Sequence, residues 1–240
     1  MPVLLRIAFN QNYATSGMTF SWTTLSIKVR NIAFSKQVDL AYTNFGSGVW
    51  RMSPLNFGSP GGNYDVFTAD GTTLSSVEFF ALRYRVAGAE YWDNNGGGNY
   101  HLGSTFAGVV GGNVSLSSAR AVRCSEAGGG FTFDTGWLEG EILVNNLTFN
   151  KRVGIVYSRD GGASWNTVDG SFSGPVHAVA STVSGVEIWK FKTPQLNIDT
   201  STPSYRFAVF FQRLDSGVTH WDNDFGQDYL LSKADGSTLP

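Results

Sequence analysis

Apolar and polar residues alternate along much of the chain with a period of two. Val38, Leu40 and Tyr42 are interleaved with Asp39 and Ala41, and Phe80, Leu82, Tyr84 and Val86 with Ala81, Arg83 and Arg85. Residues two apart share one face of a pleated strand, so these runs predict strands with one buried face. Clusters of Gly, Asn, Asp and Ser between them predict turns. No segment places its apolar residues at helical spacing. The pattern predicts an all-β fold of short antiparallel strands.

The pattern is written twice. SIKVRNIAFSKQVDLAYTNFGSGVW (26–50) lies over EILVNNLTFNKRVGIVYSRDGGASW (141–165) without a gap. Val29, Asn31, Phe34, Lys36, Val38, Tyr42 and Trp50 meet Val144, Asn146, Phe149, Lys151, Val153, Tyr157 and Trp165 at an offset of 115. Trp22 and Trp137 keep this register and are expected in the core. Upstream, LLRIAFN (4–10) sits opposite RAVRCSE (120–126). Downstream, Trp92, Asp93, Asn94, Gly97 and Tyr100 meet Trp221, Asp222, Asn223, Gly226 and Tyr229 at an offset of 129, so the second copy carries 14 extra residues between these landmarks. The repeat predicts two domains, 1–103 and 113–240, joined by the charge-free stretch GSTFAGVVGG (103–112). About 100 residues with seven or so short strands is the size and rhythm of an immunoglobulin-like fold. Two tandem immunoglobulin-like antiparallel β-sandwich domains are therefore expected.

Composition narrows the partner. With 17 basic and 19 acidic residues among 240, the net charge is -2, which leaves no electrostatic footprint for nucleic acid or an anionic membrane. An uncharged partner is expected. No apolar run approaches the roughly 18 residues of a membrane helix. Cys124 is the only cysteine, which excludes an internal disulfide and a thiolate-built zinc site and predicts a small buried hydrophobe. The opening MPVLLRIAFNQNY lacks the basic and apolar segments of a signal peptide, so a cytoplasmic location is expected, or a secreted one if a leader has been removed. The sequons at Asn113 and Asn146 read as incidental.

Catalytic constellations are missing. His101, His177 and His220 are scattered without metal-ligand spacing, and neither a nucleophile elbow nor a phosphate loop occurs. No enzyme activity, metal or cofactor is expected. Asp93 and Asp222 could be offered as the two carboxyl groups of a glycosidase. Each belongs to a different copy of one phrase, however, and duplicated binding or turn chemistry explains them better.

The repeated phrase is EYWDNNGGGNY (90–100) and HWDNDFGQDY (220–229). Its Gly and Asn residues predict a loop, because they tolerate left-handed backbone and local side-chain turns. An indole stands at the loop's edge beside amides that donate and accept, as sugar hydroxyls do. A flat aromatic with several amides suits a neutral sugar. The structural alternative is a Trp plugging the end of a sandwich beside an ordinary loop. Tyr100 and Tyr229, at the start of the next strand, are expected to be buried.

VRNIAFSKQV, a following Trp and YWDNNGGGNY together resemble the starch- and glycogen-binding modules of carbohydrate-binding module family 21, over almost the whole of each copy. The resemblance implies non-catalytic, bivalent recognition of α-glucan: starch, glycogen or maltooligosaccharide. It implies stacking of glucose on Trp50 and Trp92, with Asp93 in the loop and Asn94 and Asn99 on hydroxyls. A second, smaller site would use Phe34, Phe57 and Tyr64 with Lys36 and Asn31. The same transfer gives Trp165, Trp221, Asp222, Asn223, Asp228, Phe149, Lys151 and Asn146. The alternatives are strand core for Phe34 and Phe149, a solvated edge for Lys36 and Lys151, and a strand-end turn for Asn31 and Asn146. Ala81 and Ala208 stand where fungal members add an aromatic, which implies a platform one ring smaller. Asp224 and Asp228 replace Asn95 and Asn99, and the insertion is expected where further second-site aromatics of the second copy would lie.

Two other readings remain. One is a free-standing cytosolic lectin with a different glycan specificity. The other is a glycogen-targeting scaffold for a phosphatase, suggested by RIAF (6–9), although the repeat makes that stretch the first strand of the domain. A polysaccharide or oligosaccharide is the expected partner, with no nucleic acid and no membrane.

Overall fold

The computed structural model describes residues 1–69, 74–103, 107–128, 131–177, 182–198 and 202–240. Residues 104–106 of the expected linker lie outside them. The fold is all-β. The first half contains β1 (Val3–Thr15), β2 (Met18–Arg30), β3 (Lys36–Asn44), β4 (Arg51–Pro54), β5 (Asn56–Pro60), β6 (Tyr64–Ala69), β7 (Val77–Val86), β8 (Ala89–Asp93), β9 (Tyr100–His101) and β10 (Gly108–Val109). The second contains β11 (Val114–Gly128), β12 (Phe131–Asn145), β13 (Lys151–Ser158), β14 (Asn166–Asp169), β15 (Ser171–His177), β16 (Thr182–Lys192), β17 (Leu196–Asn197), β18 (Ser204–Arg213), β19 (Thr219–Asp222), β20 (Tyr229–Ser232) and β21 (Thr238–Leu239).

Among the described residues these strands form four sheets with antiparallel ladders. Sheet I runs β10-β1-β2-β6-β5, and sheet II runs β4-β3-β7-β8 with β9 on β7. Sheet III runs β15-β16-β12-β11-β21 with β17 on β12, and sheet IV runs β14-β13-β18-β19 with β20 on β18. Alternation does what the sequence predicts. Leu5, Leu25, Ile27 and Val29 of sheet I share one apolar cluster with Val38, Leu40, Leu82 and Tyr84 of sheet II. Leu116, Leu138, Ile142 and Val144 of sheet III share another with Val153, Ile155, Phe207 and Val209 of sheet IV. Each fully buried side chain of this kind contributes about 1.5–3 kcal/mol.

Register corrects two alignments. Leu5 stands opposite Ile27 as Leu116 stands opposite Ile142, so LLRIAFN corresponds to SLSSARA (115–121) rather than to RAVRCSE. The second hairpin is two rungs longer, which moves the first strand by four positions without disturbing β12. The extra residues are also not one block. The offset is 115 at Phe57 and Phe172, 122 at Phe67 and Trp189, 127 at Phe80 and Phe207, and 129 at Trp92 and Trp221. Insertions therefore fall in the β15–β16 hairpin, in the β16–β18 connection and in the β18–β19 turn.

The halves are packed on one another. Val110, expected in a linker, is buried and exchanges two backbone hydrogen bonds of 2.8 Å with the Asn145 side chain. The enlarged β15–β16 hairpin contributes Val176, Val183 and Val186 to a third cluster with Phe9, Val110 and Leu143. Across the other end of the junction, Arg6 donates to the carbonyls of Leu116 at 3.1 Å and Ser117 at 2.6 Å.

Three further expectations are corrected. Trp22 and Trp137 are half-buried, because their strand neighbours Thr23 and Leu138 take the inward positions. Trp137 donates to Glu139 at 2.7 Å, with the Lys192 ammonium 4.3 Å from its ring. Cys124 is half-buried and free.

Candidate functional site

The outer faces of sheets II and IV carry the indoles. Because Leu40, Tyr42 and Leu82 face the core, Asp39, Ala41, Ala81 and Arg83 face outward. Cross-strand register then sets two rows. Trp92 lies opposite Arg83, Arg83 opposite Asp39 and Asp39 opposite Pro54. In the next row Ala81, Ala41 and Met52 are level. Trp50 immediately precedes Arg51, the last paired residue of β4. Both Trp50 and Trp92 are exposed. β3 and β7 lie between the strand of Trp92 and the strand that Trp50 precedes. Ala81, where an aromatic was expected, is the small floor between them.

Sheet IV repeats the plan. Trp221, Phe210, Gly154 and Asp169 are level, and Trp165 precedes β14 as Trp50 precedes β4. Trp165 and Trp221 are both exposed. Gly154 is required here: a Cβ would lie 2.2 Å from the Val168 carbonyl and 3.1 Å from the Phe210 ring. That ring, centred 5.6 Å from Trp221, supplies the aromatic neighbour that Ala208 lacks. On sheet II the corresponding neighbour is the Arg83 guanidinium, 5.8 Å from the Trp92 ring.

Trp165 is held by a tight turn. Asp160 accepts from the Ser164 amide at 2.9 Å and its hydroxyl at 2.6 Å, and Ser158 Oγ accepts from the Gly162 amide at 2.8 Å. The Ser164 hydroxyl and amide hold the Asp160 carboxyl well below its ordinary range. The Trp50 turn is tied by different groups: Ser47 donates to the Asn44 carbonyl at 3.0 Å, and Asn44 to Ser75 at 3.1 Å.

Both WDN loops fold into single 3-10 turns. Asn94 Oδ1 accepts from the Gly97 amide and Asn223 Oδ1 from the Gly226 amide, each at 3.0 Å. The caps use the oxygens and leave the side-chain NH2 groups as donors. Asn99 and Asp228 share left-handed backbone, φ 56° and 60°. Asp228 accepts from Arg206 Nε at 2.8 Å.

Asp93 and Asp222 are corrected: both are buried and cannot touch sugar. Asp93 accepts from the Leu5 amide at 3.1 Å and the Tyr100 hydroxyl at 2.8 Å, Asp222 from the Leu116 amide at 2.9 Å and the Tyr229 hydroxyl at 2.6 Å. They pin the loop to the first strand of each half. Burial raises the Asp93 carboxyl above its ordinary value despite these bonds. For Asp222 burial acts upward too, but the Lys28 ammonium, 2.6 Å away, leaves it lowered. Tyr100 and Tyr229 are buried, as expected.

Phe34 and Phe149 stand free on the surface, 101% and 95% exposed, which removes the strand-core alternative. Phe57 is exposed beside Phe67. The Lys36 ammonium is bound to Asn31 Oδ1 at 2.6 Å and to Asp65. Lys151 repeats this with Asn146 at 2.7 Å and Glu187 at 2.9 Å. The lysines lock the loops that carry the two Phe residues. Tyr64 is corrected: it is buried at the junction, donating to the Pro240 carbonyl at 3.0 Å and packing edge-on to Tyr229. Phe172 was missed. It is exposed against Trp189 as Phe57 is against Phe67, and the ungapped offset of 115 reaches it.

The second loop faces the first half. Lys28, 1% exposed, binds Asp222 and the Tyr229 hydroxyl and lies 5.2 Å from the Phe225 ring. Phe225 has φ 58°, where the first loop has Gly96, and Asp224 replaces Asn95. Asp224 is buried and its Oδ1 finds no hydrogen-bond partner. Burial pushes its carboxyl up to about 6, with Lys28 opposing and Asp222 adding. The RIAF stretch lies within β1, paired with β2 and β10, with Arg6 and Phe9 buried, so it is not an accessible docking peptide.

Exposed indoles on a sheet face beside amide-capped turns combine flat apolar surface with hydrogen-bonding amides. Residues 124–232 match the model of "Carbohydrate/starch-binding module (family 21)". Glucoamylase 1 of Rhizopus oryzae is 32% identical over 100 residues, covering 39% of this chain and 16% of that protein. Protein phosphatase 1 regulatory subunit 3E of Rattus norvegicus is 34% identical over 82 residues, 32% of this chain and 29% of that protein. The chain thus spans less than a third of the length of these relatives. Among solved structures, the starch binding domain of Rhizopus oryzae glucoamylase, in complex with beta-cyclodextrin and maltoheptaose, is similar at 26% identity, with a TM-score of 0.33 over 50% of this chain and 92% of that one. The carbohydrate binding module of the muscle glycogen-targeting subunit of Protein Phosphatase-1 gives 20% identity and a TM-score of 0.27 over 47% and 75%.

Proposed function

We propose that the chain is two tandem family 21 modules, 1–103 and 113–240, each an immunoglobulin-like sandwich of two sheets, that bind α-glucan without catalysis. The observation that carries this reading is the duplicated pair of exposed indoles on one sheet face, Trp50 with Trp92 and Trp165 with Trp221, in a chain whose second half matches the family. Phe34 with Phe57, and Phe149 with Phe172, offer a second aromatic edge on each module. Two weak sites engaging one polymer raise avidity by roughly 10²- to 10⁴-fold.

Co-sedimentation with insoluble starch tests this. Retention falls sharply for Trp50→Ala with Trp165→Ala and is intermediate for either alone; retention equal to that of the unaltered chain in the double variant contradicts it. A different glycan specificity draws on Asp228, a half-buried carboxylate of the second WDN loop where the first has Asn99. A glycan array separates it, since binding to non-glucan sugars with none to α-glucan replaces the first reading.

A further inference from the structure

A polar cleft of about 500 Å³ lies at the end of sheet II, between the loop bearing Ser35 and Lys36 and the β7–β8 turn at Gly88. This volume is within the range of small-ligand sites, about 300–1,000 Å³. It continues the Trp92 face, because Glu90, Arg85 and Gln37 form the next outward row beyond Trp92, Arg83 and Asp39.

Its principal polar group is short of partners. Arg83 holds Asp39 Oδ2 by two bonds of 3.2 and 3.1 Å, and Gln37 occupies Oδ1 at 2.8 Å. Arg85 is left with one contact of 3.5 Å to the same Oδ2, and its Nε has no hydrogen-bond partner. A guanidinium has five donors, and with its side chain 42% exposed Arg85 keeps its outer N–H groups open to the cleft. Glu90 ties the cleft to the indole, accepting from Trp92 Nε1 at 2.7 Å. Arg85 and Glu90 face each other across the β7–β8 ladder, so the cleft presents both signs and favours a neutral polyol over an ion.

Resting on the α-glucan reading above, we propose that this cleft is a further sugar subsite of the first half, holding the units of a chain that run on from Trp92, with Arg85 donating to their oxygens. The second half lacks this lining: Gln212 stands at the position of Arg85 and Leu214 at that of Ala87. The first half therefore discriminates chain length more strongly than the second.

The test uses the full chain carrying Trp165→Ala and Trp221→Ala, titrated calorimetrically with maltotriose and maltoheptaose. Adding Arg85→Ala lowers the affinity for maltoheptaose about fivefold or more and leaves maltotriose unchanged. Ser35→Trp, which fills the cleft from an exposed position, does the same without touching the Arg85 ion pair. An unchanged affinity ratio in both variants overturns the subsite. A background that binds neither sugar before Arg85 is altered overturns the α-glucan reading itself.

Discussion

At the residue scale, the buried charges at the junction govern behaviour with pH. The Asp224 carboxyl, near 6 when folded, lies above the ordinary value of about 3.9. Its stabilising contribution is therefore complete below about pH 4 and is lost as pH rises through 6. Asp224→Asn restores the residue found at Asn95, whose amide donates to the Asn99 carbonyl at 3.2 Å. Thermal unfolding across pH 4–8 shows the variant more stable at pH 7.5, by on the order of 2 kcal/mol, with a flatter profile; a lower melting temperature at pH 7.5 contradicts this. Lys28→Met leaves the Asp222 carboxylate buried and unpaired, at a cost of about 3–5 kcal/mol in chemical denaturation, partly recovered by adding Asp222→Asn. Equal stability of the Lys28→Met chain would count against a paired, ionised Asp222. The sequence could show that Trp92 and Trp221 are duplicated, because duplication preserves spacing. It could not show that the neighbouring Asp93 and Asp222 turn inward, because an acid beside an amide loop reads alike as ligand or as anchor. Tyr64 was misread for the same reason: its burial is created by the other half of the chain.

At the element scale, strands were legible from period-two alternation, and the turn at each WDN loop from its Gly and Asn content. First-strand register was not, since hairpin length changes it silently. The lysine anchors Lys36 and Lys151 were also hidden, because Asp65 and Glu187 reach them from strands whose offset has already grown to 122. Gly154 is where strand and site depend on each other. Gly154→Ala places a methyl against the Val168 carbonyl and the Phe210 ring, costing roughly 1–3 kcal/mol and lifting that ring from beneath Trp221. Starch retention by the second half, measured with Trp50→Ala and Trp92→Ala in place, falls accordingly; unaltered retention would separate the strand from the site.

At the scale of the whole molecule, the repeat implied two independent units, yet the halves share buried surface. The β15–β16 hairpin, which receives part of the insertion, closes the junction with Val176, Val183 and Val186 against Phe9 and Val110. The sequence marked this segment only as extra length, because a clasp has meaning only once its partner is in place. Calorimetric unfolding is expected to give one transition for the full chain and two after Val186→Asp, which buries a charge in that cluster. Two transitions in the unaltered chain would contradict a cooperative junction. Fixed in this way, the two outer faces keep a set spacing, which is what the proposed engagement of one polymer by both requires. The most direct measurement is the stoichiometry of maltoheptaose binding by calorimetry. The account predicts sites on both halves in the unaltered chain, loss of the first half's sites with Trp50→Ala and Trp92→Ala, and loss of the second half's with Trp165→Ala and Trp221→Ala; a stoichiometry that either pair leaves intact would contradict it.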